Sequence, residues 1–498
     1  MSSSIEDRGL PEGWTLTSMG AVATVIGGGT PKASVPGNFS TENGHPWLTP
    51  ADLAAHPSKT VSRGKRFLTD RGLANSAAKY MPAGTILFSS RAPIGYVAIA
   101  ANAITTNQGF RSFVPSSALD PTYGYHYLKS ISGLAEQLAS GTTFSELSGS
   151  KAKTLPLPLP PLNEQRRIAA RLDEVDFYRS TISLRLQEAH INLQHLRREV
   201  LSSACSGRLT ADWREKWSPS SVADLGSALR DRRRAKEKNF VEPQLNPHAS
   251  RKELPEGWSV IPLGLVLEDL RYGTSKRSTY DQPGVPVLRI PNVSAGVLDL
   301  SDLKFADLND REMEALRLQS EDLLMIRSNG SVHLVGVTTA VTAAGEDMAY
   351  AGYLMRLRVD RRFLEPEFLR LILGSPQLRR QIELPARSTS GVHNINKQEV
   401  RALGVPVPAR EEQHEIVRRA ANALEIVDRL DMKIDDLGET LSRIYEASLD
   451  KAFRGELVPT EAELAKEERR DFEPAEDLVA RVLGKRSGSA TARASRTT

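Results

Sequence analysis

The 498-residue chain contains a single cysteine, Cys205, and has no long apolar run. One thiol cannot form an internal disulfide, and it leaves no cysteine cluster to hold a metal. A membrane-spanning helix needs about 18 consecutive apolar residues, which the sequence nowhere supplies. The first residues also lack the basic and apolar regions of a secretory signal. We therefore expect a cytoplasmic protein with no membrane association.

A strong excess of one charge is missing as well. The chain has 65 Lys and Arg against 61 Asp and Glu, a net charge of +4. The last fifteen residues carry four basic groups and no acid, so the rest of the chain is formally neutral. Composition alone therefore does not identify a DNA-binding protein, and the local distribution of charge has to be examined.

Signatures of catalysis are absent too. No G-x-x-x-x-G-K-[ST] loop occurs, and the glycines of VIGGGTPK are typical of a turn. DPTY at 120–123 lacks the second proline of the Asp-Pro-Pro-Tyr box of amino-methyltransferases, and no glycine-rich cofactor loop precedes it. His190 and His195 are five residues apart on a predicted helix, so they do not share a face as metal ligands would. We predict no catalytic residue, no metal and no cofactor in this chain.

What the chain does contain is an internal repeat. LPEGW occurs at 10–14 and at 254–258, and GGGTPK at 27–32 matches RYGTSK at 271–276. LPPLNEQRRI, which starts at Leu159, matches VPAREEQHEI, which starts at Val407. The offset is 244 residues for the first pairs and 248 for the last, so the sequence indicates a duplication.

Each copy closes on a proline-rich hinge and a helical segment. The hinges are LPLPLPPL at 155–162 and LGVPVPA at 403–409, where proline fixes φ and removes backbone donors. Apolar residues then recur at alternating four- and three-residue spacing, which is a heptad seam. The predicted seam residues are Ile168, Leu172, Val175, Ile182, Leu186, Leu193, Leu196 and Val200, and then Ile416, Val427, Leu430, Ile434, Leu437, Leu441 and Ile444. Gly207 and Gly455 are predicted to end the helices in the left-handed conformation.

The predicted fold class is α/β, with two similar strand-rich blocks separated by a long antiparallel two-helix coiled coil. The repeat gives this arrangement a pseudo-two-fold symmetry, and the chain order makes the helices antiparallel. GTILFSS and DLLMIRS read as buried strands, and 121–140 and 365–383 as helices. The predicted segments are a first block at 1–160, a first spacer helix at 161–207, a charged linker at 208–253, a second block at 254–408, a second spacer helix at 409–455, and a largely disordered tail at 456–498.

Basic and polar side chains on predicted loops are the candidate DNA contacts. Cations with few acids nearby suit phosphate contacts. Arg can bind guanine, and Asn or Gln can bind adenine, through paired hydrogen bonds. For any single residue, a solvated surface loop is the competing interpretation. The candidates are Lys59, Arg63, Lys65, Arg66, Ser89, Ser90, Arg91, Asn107, Gln108, Arg271, Lys276, Arg277, Arg289, Asn292, Arg327, Ser328, Asn329, His393, Asn394, Asn396 and Lys397.

These motifs resemble a known family. LPEGW, GGGTPK followed by HPWLTPADL, TNQGF and the closing LPLPLPPLNEQ look like the specificity subunit of type I restriction-modification enzymes. The second block repeats the scheme with LPEGW, PVLRIPNV and VPVPAREEQ, but lacks the Trp and Thr of PWLTPADL. The resemblance covers residues 10–458. It implies a non-catalytic subunit with two target-recognition domains, each reading one part of a bipartite asymmetric target in double-stranded DNA.

The resemblance also implies partners. Two methyltransferase (modification) subunits that carry S-adenosylmethionine would dock on this chain, and nuclease-translocase (restriction) subunits that use ATP would join for cleavage. The spacer helices would set the unread gap between the two half-sites. Two other functions stay open: a stand-alone DNA-modifying enzyme, which the missing cofactor loop disfavours, and a coiled-coil scaffold that does not bind DNA.

Overall fold

The computed structural model describes residues 9–494, except 36, 55, 57, 92, 141–144, 218–221, 223, 237–239, 250–253, 282 and 387–390, and except the side chains of 236 and 486–494. The chain divides into two compact units. Unit 1 comprises Met1–Leu186 and Asp436–Thr498, and unit 2 comprises Gln187–Asp435. Each unit thus combines one predicted block with part of each predicted long helix.

Unit 1 is strand-rich. Its strands in the described residues are β1 (Thr15–Ser18), β2 (Ala23–Gly27), β3 (Phe39–Ser40), β4 (His45–Leu48), β5 (Thr60–Val61), β6 (Arg66–Leu68), β7 (Ile86–Ser90), β8 (Ile94–Ala100), β9 (Thr105–Thr106), β10 (Arg111–Pro115) and β11 (Pro156–Leu159). Its short helices are α1 (Met19–Val22), α2 (Pro50–Leu53), α3 (Asp70–Ala74), α4 (Pro121–Ser130), α5 (Ser132–Leu138) and α6 (Gly149–Lys153). The sheet orders are β2-β10-β7-β8-β5, β3-β6-β4-β9 and β1-β11.

The central strand β7 shows why this block folds as it does. All five of its residues are buried, as expected for a short apolar run with neighbours on both edges. Ile86 and Phe88 point into a core shared with Tyr123 of α4. Leu87, on the opposite face, packs in a second core with Leu48 of β4. The block is therefore built on both faces of one sheet.

Unit 2 repeats this plan. Its strands are β12 (Ser259–Pro262), β13 (Leu267–Tyr272), β14 (Val285–Leu288), β15 (Lys304–Ala306), β16 (Leu323–Ile326), β17 (Ser328–Asn329), β18 (Thr338–Ala340), β19 (Ala349–Tyr350), β20 (Leu354–Val359), β21 (His393–Asn394) and β22 (Gly404–Val407). The sheet orders are β13-β20-β16-β18, β15-β14-β19, β12-β22 and β17-β21. Its short helices are α8 (Ala211–Trp217), α9 (Leu225–Lys236), α10 (Asp310–Leu316), α11 (Pro366–Leu373), α12 (Pro376–Glu383) and α13 (Lys397–Ala402), with 3₁₀ turns at Arg208–Thr210, Leu263–Leu265, Ile290–Asn292 and Ala343–Gly345. The buried strands predicted for the blocks are confirmed, and each predicted helix is present as two shorter consecutive helices, α4 and α5 in unit 1 and α11 and α12 in unit 2.

Each proline-rich hinge is a strand as well as a connector. Residues of β11 pair antiparallel with β1, with Leu16 opposite Pro158, and β22 pairs in the same way with β12, with Val260 opposite Pro406. Alternating prolines leave the strand donors on one edge only, which suits a two-stranded pairing. The hinge therefore returns to the strand that follows LPEGW and closes each block.

The two long helices are α7 (Leu162–Ser206) and α14 (Arg410–Phe453), and they pack together in each unit. In unit 2, Val200 and Ala204 of α7 share a core with Ile416 and Ala420 of α14. There the His190 Nδ1 atom lies 2.8 Å from Asp431 Oδ1. The partners on α14 run backwards as α7 runs forwards, so the pairing is antiparallel.

In unit 1, residues from the start of α7 and the end of α14 share the core. Ile168 and Leu172 pack in one cluster with Leu449 and Phe453. The Arg179 guanidinium, which occupies one seam position, lies 4.8 Å from the centre of the Tyr445 ring. The predicted coiled-coil pairing is therefore present in this unit also.

Burial along the seam is uneven. Ile168, Leu172, Val200, Ile416 and Val427 are buried, and Val175, Leu186, Leu193, Ile434 and Leu441 are half-buried. The structure leaves the remaining predicted seam residues exposed, namely Ile182, Leu196, Leu430, Leu437 and Ile444. Two helices alone cover little more than one stripe of each other, so the second heptad stripe faces outward. Near the end of α14 the buried residues are Tyr445 and Leu449, whereas the heptad spacing predicted that Ile444 would be buried.

Both helices end at the predicted glycines. Gly207 has φ +76° and Gly455 has φ +75°. A Cβ on Gly207 would lie 2.6 Å from Pro255 Cγ, and one on Gly455 would lie 2.5 Å from Pro11 Cγ. Each helix end therefore packs on an LPEGW segment, and in each unit that segment is the one that opens the unit's block.

The prediction of a largely disordered tail is wrong. Residues 456–494 contain α15 (Glu461–Glu468) and α16 (Ala475–Ala494), and Ala475, Leu478 and Val482 are buried in the core of unit 1. The charged linker of unit 2 contains α8 and α9 in the same order, with Leu229 buried. The tail is thus the second copy of the linker. Both segments are rich in charged residues, and each contains a short apolar stripe that the overall charge composition does not show.

Candidate nucleic-acid interface

The repeated Trp and Glu-Gln motifs fix each block to its helix. Trp14 Nε1 donates to Glu164 Oε1 at 2.9 Å, and Trp258 Nε1 donates to Glu412 Oε2 at 3.0 Å. Gln165 Nε2 donates to the carbonyls of Ala118 and Pro160, each at 2.9 Å. Burial raises the pKa of Glu164, while hydrogen bonds from the Glu461 N–H and from Trp14 oppose that shift. These motifs are therefore structural anchors.

The glycine motif also has a structural role. A Cβ on Gly28 would lie 1.9 Å from the Asn107 carbonyl oxygen, and one on Gly273 would lie 2.2 Å from the Tyr350 carbonyl oxygen. Only glycine allows two backbone segments to approach so closely. The turn predicted for VIGGGTPK, rather than a phosphate cradle, fits these contacts.

In unit 1, the β3-β6-β4-β9 sheet carries basic and aromatic side chains around its strand β6. The Arg66 guanidinium of β6 lies 4.5 Å from the centre of the Phe39 ring and 5.3 Å from that of Trp47. Arg63 lies 5.9 Å from the Phe67 ring centre. Rings hold these guanidinium groups without neutralising them, so the cations keep their charge for an anionic partner. We call Phe39, Arg63, Lys65 and Arg66 the unit 1 basic sheet.

A histidine bridges two side chains next to this sheet. His45 Nδ1 lies 2.5 Å from Tyr80 Oη, and His45 Nε2 lies 2.8 Å from Asp70 Oδ1. Tyr80 is 44% exposed, and partial burial together with the charge of Asp70 raises the pKa of its hydroxyl. The hydroxyl therefore stays neutral and polar at the surface.

The other predicted contacts of unit 1 are mostly engaged within the protein. Lys59 Nζ lies 2.6 Å from Asp173 Oδ2 on α7, where His126 Nε2 also reaches Asp173. Ser89 and Ser90 are fully buried, and the Ser89 hydroxyl donates to the Pro93 carbonyl. Arg91 faces Glu146 at 4.0 Å, Asn107 Oδ1 accepts from the Gly109 N–H, and Gln108 contacts Thr30. Of these, Gln108 is exposed.

In unit 2, several predicted residues meet around one tyrosine. The Arg327 guanidinium lies 4.5 Å from the centre of the Tyr272 ring, and Lys397 Nζ lies 4.7 Å from the same point. The Tyr272 hydroxyl accepts a hydrogen bond from the Lys397 backbone N–H at 3.0 Å. Arg327 Nη2 donates to Asn394 Oδ1 at 3.2 Å. We call Tyr272, Arg327, Asn394 and Lys397 the tyrosine cluster.

The cluster lies at the base of a two-stranded ribbon. Strands β17 and β21 pair antiparallel, with Ser328 opposite Asn394 and Asn329 opposite His393. The Ile395 N–H donates to the Arg327 carbonyl at 2.8 Å, which continues the ladder to the cluster. A two-stranded ribbon is one of the elements that the DNA major groove admits.

Charge supports the same location. Burial lowers the pKa of Lys397, with Arg401 and Arg271 adding to that effect and Asp269 opposing it. Asp269 Oδ2 accepts from Arg356 Nη2 at 2.6 Å, so this carboxylate is already paired. Within the described residues neither Arg327 nor Lys397 has an ion-pair partner, which leaves the cluster positive.

Most of the remaining predicted contacts of unit 2 are engaged by other groups of the protein. Asn292 is buried, and its amide donates to the carbonyls of Asp299 and Asp302, so it is not available to a base. Arg289 pairs with Asp302 at 2.8 Å, Lys276 with Glu312 at 2.7 Å and Arg271 with Asp269 at 3.6 Å. Asn396 caps α13, Asn329 Oδ1 accepts from the Ser331 N–H, and His393 Nδ1 contacts the Ala386 carbonyl. Arg277 is exposed.

Sequence reasoning missed the aromatic residues of the unit 1 surface. Phe39, Trp47, His45 and Tyr80 were not among the candidates, although alternating aromatic and basic residues were the available signal. Among the described residues no group of His, Cys, Asp and Glu is placed to hold a metal. No helix in that same portion of the chain is long and apolar enough to span a membrane.

Comparisons with known proteins agree with this architecture. Residues 11–188 match the family model of the type I restriction modification DNA specificity domain. The chain is 26% identical over 462 residues to the EcoKI specificity subunit of Escherichia coli K12, covering 90% of each. It is 29% identical over 328 residues to the MjaIX specificity subunit of Methanocaldococcus jannaschii, covering 64% of this chain and 67% of that one. A solved structure on complex assembly and conformational transition of the type I R-M system contains a chain with a TM-score of 0.64 and 20% identity, covering 90% of this chain and 100% of that chain.

Proposed function

We propose that the chain is a specificity subunit of a type I restriction-modification system and that each of its two units reads one part of a bipartite asymmetric DNA target. The chain is then a non-catalytic DNA-recognition subunit. One observation carries the proposal: the two units share a scaffold, but Arg66 of unit 1 and Arg327 of unit 2, which have no ion-pair partner among the described residues, lie at different places on it. Two unlike surfaces on like scaffolds suit two unlike half-sites.

In this proposal different residues contact the DNA phosphates and the bases. The unit 1 basic sheet offers Arg63, Lys65 and Arg66 to the backbone, where cations supply affinity and salt dependence. In unit 2 Arg327 directly precedes the ribbon strand β17, and its forked guanidinium can reach bases. The predicted contacts that are buried or ion-paired, such as Asn292 and Lys59, are assigned structural roles.

We further propose that exposed apolar residues of the long helices are where two methyltransferase subunits dock. Proteins rarely leave many large apolar side chains exposed to water on one surface, so we expect a partner protein to cover them. In unit 1 the exposed residues are Phe177, Tyr178, Ile182, Leu184, Leu437 and Ile444. In unit 2 they are Ile191, Leu196, Ile426, Leu430 and Met432. The methyltransferase subunits would carry S-adenosylmethionine, and restriction subunits that use ATP would join for cleavage.

The docking surface can be tested with charge substitutions at highly exposed positions. Leu184 is 62% exposed in unit 1 and Met432 is 72% exposed in unit 2, so neither is needed for the fold. Leu184→Glu and Met432→Glu should each weaken copurification with a coexpressed methyltransferase subunit. Val297→Glu, at a position 65% exposed away from the helices, is the matched control. Full copurification of the double variant would refute this docking surface.

The reading function is tested by expressing the chain with its methyltransferase subunit and mapping methylated adenines genome-wide. The proposal predicts methylation at one bipartite sequence, and none when either subunit is omitted. Methylation by this chain alone would establish a stand-alone modification enzyme. Absence of any sequence-specific duplex binding by the complex would favour a scaffold that does not bind DNA.

A further inference from the structure

The tyrosine cluster of unit 2 holds the Arg327 guanidinium in a fixed position and leaves some of its N–H donors without a partner among the described residues. Arg327 Nη1 donates to the Gly352 carbonyl at 2.9 Å, and Nη2 donates to Asn394 Oδ1 at 3.2 Å. A guanidinium has five N–H donors, so one N–H on each Nη atom remains after these bonds. The group is also stacked on Tyr272, which limits its rotation.

Nothing acidic in the described residues neutralises this guanidinium. The corresponding position of unit 1 is different. There the Leu147 N–H donates to the Ser90 carbonyl, as the Ile395 N–H does to the Arg327 carbonyl in unit 2. Glu146, which precedes Leu147, pairs with Arg111 at 2.8 Å, whereas Asn394 precedes Ile395. Ser90 of unit 1 stands where Arg327 stands in unit 2, and in unit 2 an amide rather than a carboxylate faces the guanidinium.

We propose that Arg327 is the guanine-reading residue of unit 2, and that Tyr272 positions it; this rests on the proposed function. A guanine presents two acceptors, N7 and O6, in the major groove, and an arginine with two free donors is their commonest protein partner. Asn394 fixes the fork from one side, and Gly352 fixes it from the other. Lys397, held on the same ring, contacts the adjoining phosphate.

Tyr272 makes two separable contributions. Its ring lies against both cations, and its hydroxyl accepts from the Lys397 N–H. Tyr272→Phe keeps the ring and removes only the acceptor, whereas Tyr272→Leu removes the ring. Loss of the ring should therefore relax base preference more than loss of the hydroxyl does.

The test uses the full chain with its methyltransferase subunit and selects bound duplexes from a random pool. The wild-type complex should select a bipartite sequence with a guanine in one half. Arg327→Lys keeps the charge but loses the fork, so preference for that guanine should fall on the order of 10- to 100-fold, with the other half unchanged. Tyr272→Leu should reduce the same preference, and Tyr272→Phe should reduce it less. Arg317→Lys, at an exposed arginine paired with Asp347, is the matched control and should leave the profile unchanged.

The outcomes separate this inference from the proposed function. A wild-type complex that selects no sequence overturns both. A bipartite selection that Arg327→Lys leaves intact, or that contains no guanine in either half, overturns only the inference. Uniform weakening of all sequences by Arg327→Lys identifies a phosphate contact and also overturns it. Thermal unfolding of each variant verifies that it is folded, and the mild Tyr272→Phe change remains informative where Tyr272→Leu is unstable.

Discussion

Units 1 and 2 have similar folds but differ in where their basic side chains lie. In unit 1 the cations of the basic sheet have no ion-pair partner among the described residues, while Arg111 of β10 is paired with Glu146. In unit 2, Lys304 is opposite Val287 as Arg66 is opposite Trp47 in unit 1, and it lies 4.7 Å from the centre of the Tyr280 ring. Arg327, on the neighbouring sheet, has no ion-pair partner among the described residues. The scaffold sets where a side chain can reach DNA, and a nearby acid decides whether it is available.

The attachment of each block to its helix differs in the same way. In unit 1, Lys59 and His126 both reach Asp173 on α7. In unit 2, Leu371 of α11 is buried in the core against which Leu201 and Leu424 of the long helices pack. An ionic contact depends on pH and salt, whereas an apolar contact does not. The two blocks should therefore respond differently to solution conditions.

The largest effect is expected from lengthening both long helices at the boundary between the units. Seven residues inserted after Leu186 and seven after Asp435 keep the heptad register of both helices. Because both helices run through both units, methylation at the native target should be lost. A new target should appear with both half-sites retained and a changed gap. Methylome mapping checks this, and an unchanged gap with altered half-sites would break the account.

Removal of the unit 2 anchor should cost stability. Glu412→Ala leaves the Trp258 N–H, the Thr210 hydroxyl and the Arg214 guanidinium without their shared acceptor. Breaking such a buried pair costs about 3–5 kcal/mol in the free energy of unfolding. Denaturant unfolding with Trp fluorescence measures it. Glu425→Ala, at an exposed ion pair with Arg429 on the same helix, is the control, and equal losses in both variants would contradict the anchor.

Arg66→Ala should have a moderate effect on DNA binding. Loss of one phosphate contact should weaken binding to all sequences about equally and reduce the slope of log affinity against log salt by about one. Arg171→Ala, on an exposed arginine paired with Glu174, should leave the slope unchanged. Fluorescence anisotropy at several salt concentrations supplies the slope. A change in base preference without a change in slope would reassign Arg66 to base reading.

The smallest effect is expected from the ionic contact of unit 1. Burial alone would raise the pKa of Asp173, but hydrogen bonds from His126 and Lys59 outweigh it and hold that pKa below its ordinary value. A carboxylate with a depressed pKa stabilises the fold above its unfolded pKa, near 3.9, and loses that contribution as pH falls through the folded value. The stability difference between wild type and Asp173→Asn should therefore be constant near neutral pH and shrink below about pH 4. Urea unfolding across pH measures it, and a difference that grows on acidification would be contradictory.

The sequence predicted the framework of this protein better than its surfaces. Repeated motifs located both blocks, both long helices and the glycines that end them, because backbone requirements recur at fixed offsets. The heptad spacing could not show that Leu430 and Leu437 are exposed. The spacing of apolar residues indicates which of them share a helix face, but it does not indicate what packs on that face. The tail was missed because α8 and α15 share little sequence, although each follows a long helix.

Candidate contacts were harder to predict, because availability depends on partners distant in sequence. Lys59 and Asn292 have suitable side chains, yet Asp173 engages one and the carbonyls of Asp299 and Asp302 engage the other. Arg327 and Lys397 were among the candidates, but only the fold brings them onto one ring. Residue type therefore narrows the choice, and three-dimensional neighbours decide it.

The most direct test of the central claim is a pair of adenine methylation maps, one for a unit 1 variant and one for a unit 2 variant. The chain is expressed with its methyltransferase subunit as wild type, as Phe39→Ala with Arg66→Ala, and as Arg327→Lys. The account predicts that the unit 1 variant weakens or degrades one half of the methylated sequence and the unit 2 variant degrades the other. Degradation of the same half by both variants would contradict it.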